Sequence, residues 1–165
     1  MASLTAEDLR GARGEAIFVA KIMDFCGRDT PYFDPHFLGD KFPVFDHIVN
    51  VVDGMEISAF FFAQVKTTSA GYETRRDGKK YLKVQVSKQD LEAMFRYPGP
   101  AYLFGIDERS GSAYVVAVNR KRRTGFSAMP TDFGVDCDTL RKIWDEVKAH
   151  WADQPASFES EFSLK

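Results

Sequence analysis

Apolar and polar positions along the chain change period several times, and each change marks an element. Near the start, Phe18, Val19 and Ile22 recur at helical spacing, with Arg13, Lys21, Asp24 and Arg28 on the outer side. The capping box Thr5-Ala-Glu-Asp8 opens this segment and Gly27 closes it, predicting a helix from about Ala6 to Cys26. Asp29 to Asp40 reads as a loop containing proline and glycine. Two apolar runs follow, Phe42 to Val52 and Ile57 to Lys66, separated by the turn signal Asp53-Gly54. Phe60, Phe61 and Phe62 are consecutive, so they face both sides of the second run, which predicts a central strand covered on both faces.

Thr67 to Lys79 is polar and reads as a long loop; Tyr81 to Val86 then alternates, predicting a third strand. Ser87 caps a second helix that Pro98-Gly99-Pro100 stops after about Tyr97. Ala101 to Ile106 and Ala113 to Val118 form a hairpin, and a last helix, capped by Asp138, runs from about Thr139 to Trp151. The predicted order is α-βββ-α-ββ-α, an α/β sandwich with a mixed central sheet flanked by helices. Residues 1–152 read as one domain and 153–165 as a loose C-terminal tail.

Composition narrows this picture. An apolar share of 44% with fifteen Phe in 165 residues supports an ordered globule with its own core. Cys26 and Cys137 have no metal-type spacing, and are expected to be buried thiols of a reducing cytoplasm. The polar N-terminus and the lack of a long apolar run argue for a cytoplasmic protein that does not enter a membrane. A formal charge of −2 excludes an indiscriminate nucleic-acid coat. Basic residues are nevertheless bunched, at Arg75, Arg76, Lys79, Lys80 and Lys83, and again at Arg120 to Arg123.

The candidate chemistry gathers at the end of the second strand. Gln64 and Lys66 project from one sheet face. If Val52 lies opposite Ser58 across a five-residue loop, Asp46 lies opposite Gln64. Asp46, the Gln64 side-chain oxygen and the Val65 carbonyl then offer an all-oxygen set for a hard cation, Mg²⁺ or Mn²⁺ in its place. Glu15 sits on the apolar face of the first helix, where a carboxylate needs a partner or a cation, and it can close the set. Lys66 would meet the phosphate. Asp40, after Leu38-Gly39, competes with Asp46 as the acidic ligand. Lys83, Gln85, Arg75 and Arg76 are candidates for substrate contact. His36, His47 and His150 have no zinc spacing, and Trp144 and Trp151 read as a core stripe.

Glu15 in a helix, Asp46 in a strand and the string FAQVKTTSAGY resemble the PD-(D/E)XK nuclease superfamily, in particular its Mrr-like branch and related bacterial domains with Gln in place of the motif's Glu. The likeness spans roughly residues 10–119. It implies a restriction-endonuclease-like αβββαβ sandwich and Mg²⁺-dependent hydrolysis of DNA, with a role in defence against foreign DNA. Two departures stand out: no proline immediately precedes Asp46, and Gln64 carries no charge. The alternative is a nuclease-fold module that binds nucleic acid or a protein without turnover, within a larger assembly. Cutting both strands of a duplex would call for a homodimer or a second subunit.

Overall fold

The computed structural model describes residues 3–119, 124–153 and 160–162. The Arg120 to Arg123 run and most of the expected tail lie outside the described residues. The elements are α1 (Ala6–Ile22), β1 (Phe33–Phe37), β2 (His47–Asp53), β3 (Glu56–Thr68), β4 (Tyr72–Thr74), β5 (Lys80–Leu82), α2 (Lys88–Phe95), β6 (Ala101–Asp107), β7 (Ala113–Ala117), β8 (Met129–Pro130) and α3 (Cys137–Ala152).

The main sheet has five strands in the order β1-β2-β3-β6-β7. Among the described residues only the β3–β6 pairing in this sheet is parallel; the other pairs are antiparallel, so the sheet is mixed. β3 is the middle strand, as its phenylalanines require. Phe61 and Ala63 join Phe18 and Ile22 of α1 and Leu140, Ile143 and Val147 of α3 in one buried cluster. Phe62 faces the other way, into a second cluster with Phe45, Leu91, Met94 and Leu103. α1 and α3 therefore cover one face, and α2 covers the other with a small three-stranded sheet, β4-β5-β8. Burial of two apolar layers on opposite sides of one strand explains its near-continuous hydrophobic sequence.

Several local expectations are corrected. α1 stops at Ile22, because the Asp24 carboxylate takes the Cys26 N–H at 2.8 Å and Cys26 and Gly27 turn to φ 51° and 73°. Residues 33–37, read as loop, form β1: the Pro35 ring is tolerated because β1 is an edge strand. The alternation from Tyr81 to Val86 does bury Leu82, Val84 and Val86, but against α2 and the small sheet rather than beside β3. α3 starts earlier than expected and is capped by Asp136, whose side chain accepts from Thr139 N at 2.8 Å. Its tryptophans fasten it across the sheet: Trp144 Nε1 donates to Val52 O at 2.9 Å and Trp151 Nε1 to Phe60 O at 2.7 Å.

The cysteines are the clearest reversal. Cys26 and Cys137 form a disulfide, Cα–Cα 5.6 Å, joining the turn after α1 to the first residue of α3. Neither is a buried thiol: Cys26 is half-buried and Cys137 exposed. No helix among the described residues is long and apolar enough to cross a membrane.

Candidate functional site

β2 ends at His47 while β3 runs on, and this mismatch builds the site. Over His47–Val51 the strands pair in the register inferred from the sequence, with His47 opposite Ala63 and Val51 opposite Ala59. A bulge at Val51/Val52 then brings Val52 opposite Ile57 and Asp53 opposite Glu56, so the connection is shorter than the expected five-residue loop. Past His47 the backbone of β2 leaves the ladder after Asp46 N donates to Ala63 O at 3.0 Å. Beyond that point the Asp46 side chain replaces the backbone, and its Oδ2 accepts the Val65 N–H at 2.7 Å. A strand residue directs its N–H and C=O to the same edge, so the Val65 carbonyl leaves β3 on the Asp46 side.

The chain before Asp46 is a tight turn. Phe45 N donates to Pro43 O at 2.8 Å, a γ-turn, and its central residue Val44 has φ 71°. A β-branched residue in that region is strained by an amount of order 1–3 kcal/mol. The turn aims Val44 O at the site, where it accepts from Gln64 Nε2 at 2.8 Å. A carbonyl can only accept, so the amide orientation is fixed and Oε1 is its other end. Oε1 is buried and has no hydrogen-bond partner among the described residues, in a residue only 7% exposed. A buried acceptor left unpaired carries a penalty of about 1–3 kcal/mol, which a cation would remove.

Two further groups interact electrostatically with Asp46. Lys66 is half-buried, and its charge acts on Asp46, offsetting part of the upward push that burial gives the Asp46 carboxyl. Burial also raises the Glu15 carboxyl, and the charges of Asp46 and Asp40 raise it further. Glu15 is brought in by the close seat of α1 on β3. A Cβ on Gly14 would lie 1.7 Å from Thr67 Oγ1, so only glycine permits that approach. Gly14 thus belongs to the architecture of the site, a role that its place just before Glu15 on the apolar helix face could have signalled.

Of the sequence-predicted set, Gln64 and Val65 are tied by hydrogen bonds to Val44 and Asp46, Lys66 is next in β3, and the charges of Asp46 and Asp40 both act on Glu15. The second-tier candidates lie in and beside the small sheet. Lys83 and Gln85 are exposed and follow β5 in the small sheet, so they do not line a strand beside β3. Arg75 pairs with Glu73 at 3.0 Å and lies over the Tyr81 ring, and Arg76 is exposed in the same hairpin. His47 faces the opposite side of β2, against Phe18 and Phe37.

The acids alone do not draw together as tightly as a preformed cage. Among the described residues, the three His, Cys, Asp or Glu ligand atoms that do are those of Asp24, Cys26 and Cys137, and the two sulfurs are spent in the disulfide. A cavity of about 350 Å³ between β6, β7 and α3, lined by Tyr102, Phe133, Ile143 and Glu146 among others, touches none of the site residues. No family model, curated protein or solved structure matches this chain.

Proposed function

We propose that the chain is a metal-dependent phosphodiesterase that hydrolyses DNA, built on the plan of the restriction-like endonucleases. The observation that carries this reading is the buried Gln64 Oε1, without a hydrogen-bond partner among the described residues, next in β3 to Val65, whose N–H Asp46 holds. Asp46, Gln64 Oε1 and the Val65 carbonyl, with Glu15 closing the set, would hold Mg²⁺ or Mn²⁺. Bound there, the ion would lower the pKa of a water and neutralise charge on the phosphate. The Lys66 charge, which acts on Asp46, would suit a phosphate oxygen bound there. Asp46 keeps β3 extended past the end of β2 by holding Val65 N, which fixes the Val65 carbonyl and Lys66 in line.

The specific observation favouring the second reading, a module that binds nucleic acid or a protein without turnover, is that same bond. One Asp46 oxygen is already engaged as a cap on the open edge of β3. Duplex cleavage would draw on a homodimer or a partner subunit. A cytoplasmic site of action suits a nuclease that meets foreign DNA, whereas a disulfide suits an oxidising compartment. The decisive assay incubates the protein with plasmid and Mg²⁺ or Mn²⁺ beside Lys66→Ala. Divalent-dependent nicking that Lys66→Ala abolishes supports the hydrolase. Cutting that survives the substitution removes it, and tight DNA binding without any cutting selects the module.

A further inference from the structure

We infer that Val44 is a positioning residue whose strained turn selects an amide at position 64 and holds its oxygen, not its nitrogen, towards the site. The direction of use rests on the cation reading above; the geometry of the lock does not. A glutamine has two ends of similar shape and opposite character, and rotation about its last torsion exchanges them. A site that needs an oxygen must prevent that exchange. Here the opposing group is Val44 O, which accepts from Nε2 at 2.8 Å. In the rotated form two oxygens would face each other at that distance.

The turn that presents Val44 O is held from both ends. On one side Phe45 is 1% exposed and stacks on Phe62 at 5.0 Å, with Tyr97 against its edge at 5.1 Å. On the other, Asp46 is tied to β3 through Ala63 O and Val65 N. Between these anchors the chain closes through the Phe45 N–Pro43 O bond, and Val44 takes φ 71° although its side chain is β-branched. Strain tolerated next to a buried orphan acceptor is the pattern of a residue kept for where its carbonyl points.

The lock also explains the neutral residue. A glutamate at position 64 would bring charge to the cation, but its second oxygen would meet Val44 O without a proton between them. The chemistry of this pocket accepts Gln64 and opposes a carboxylate, contrary to what counting ligand charges suggests.

The test combines one spectroscopic and one binding measurement. In wild-type protein, NMR is expected to show slow exchange of the Gln64 Nε2 protons and a scalar coupling across the bond to the Val44 carbonyl carbon. Both should persist when Mg²⁺ shifts the Gln64 side-chain carbonyl. Val44→Gly, compatible with the same φ, should retain the coupling. Gln64→Glu should bind Mn²⁺ no more tightly than wild type. Fast exchange of the Gln64 amide, or a gain in Mn²⁺ affinity beyond about tenfold in Gln64→Glu, overturns the lock. A coupled, slowly exchanging amide in a protein that takes up neither Mg²⁺ nor Mn²⁺ would uphold the lock while removing the hydrolase.

Discussion

Asp46 Oδ2 accepts the backbone N–H of Val65 at 2.7 Å, a bond that gives one carboxylate both a structural and a chemical task. The two tasks can be separated by substitution. Asp46→Asn keeps an oxygen able to accept from Val65 N, so thermal stability should stay close to wild type. Asp46→Ala leaves that N–H unpaired and should destabilise the fold by about 1–3 kcal/mol. Both should lose divalent-dependent cleavage beyond the about 10–100-fold scale that outer-shell partners of a metal control. Thermal melts read beside plasmid nicking check this, and an Asn variant that cuts at the wild-type rate would leave Asp46 as a strand cap alone.

Gly14 offers a second handle, because it sets the distance between α1 and β3. In Gly14→Ala the new methyl meets Thr67 Oγ1 at 1.7 Å and the Thr67 Cβ at 2.7 Å, so the helix must move. The expected loss is about 1–3 kcal/mol, the range for overpacking a close contact. Thr67→Ala removes the nearer atom and should recover part of it in the double variant, while Mn²⁺ affinity stays reduced because Glu15 rides on the shifted helix. Full recovery of stability together with affinity would show that Glu15 tolerates the movement.

How much of this could be read from the sequence differs by residue. The β2–β3 register was legible because alternation on a half-buried strand admits one solution: His47, Val49 and Val51 go inward together with Ala63, Phe61 and Ala59. The seating of Asp46 against β3 beside Gln64 and Val65 follows from that register. Val44 was not legible, since nothing in Pro43-Val44-Phe45 announces a γ-turn and its φ is imposed by the anchoring of Phe45 and Asp46. β1 hid behind Pro35, a residue that a central strand would refuse and an edge strand accepts. The Tyr81–Val86 alternation reported burial correctly but could not report which sheet supplied it. The Cys26–Cys137 pair is separated by 111 residues, and local pattern carries no information at that range.

That disulfide should show itself in solution. Denatured, unreduced protein is expected to give no free thiol with an aromatic disulfide reagent, and two after reduction. Closing a loop of 111 residues restricts the unfolded chain, so reduction or Cys26→Ser should destabilise by about 2–5 kcal/mol. For a chain of this size that is a fall in Tm of about 5–15 °C. The Trp144 and Trp151 bonds hold α3 independently of Cys137, so the reduced protein should keep its helical signal at low temperature. Two reactive thiols in freshly purified protein would place the pair in its reduced form.

The pH dependence has a definite sign at His47. Its ring is buried between Phe18 and Phe37, its Nδ1 has no hydrogen-bond partner among the described residues, and burial pushes its pKa below the ordinary 6.5. The unfolded chain therefore binds a proton more readily than the folded one. The contribution is fully present above pH 6.5 and is lost as pH falls from there towards the lowered value. Asp46 and Glu15 act oppositely, since burial raises both and protonation relieves the penalty of holding them ionised. Comparing wild type with His47→Phe isolates the imidazole. Between pH 7 and pH 5 the difference in Tm should move in favour of the variant, because only wild type must keep a ring neutral against rising acid. A difference that stays constant across that window would mean that His47 finds a proton acceptor in the folded protein and charges there as easily as in water.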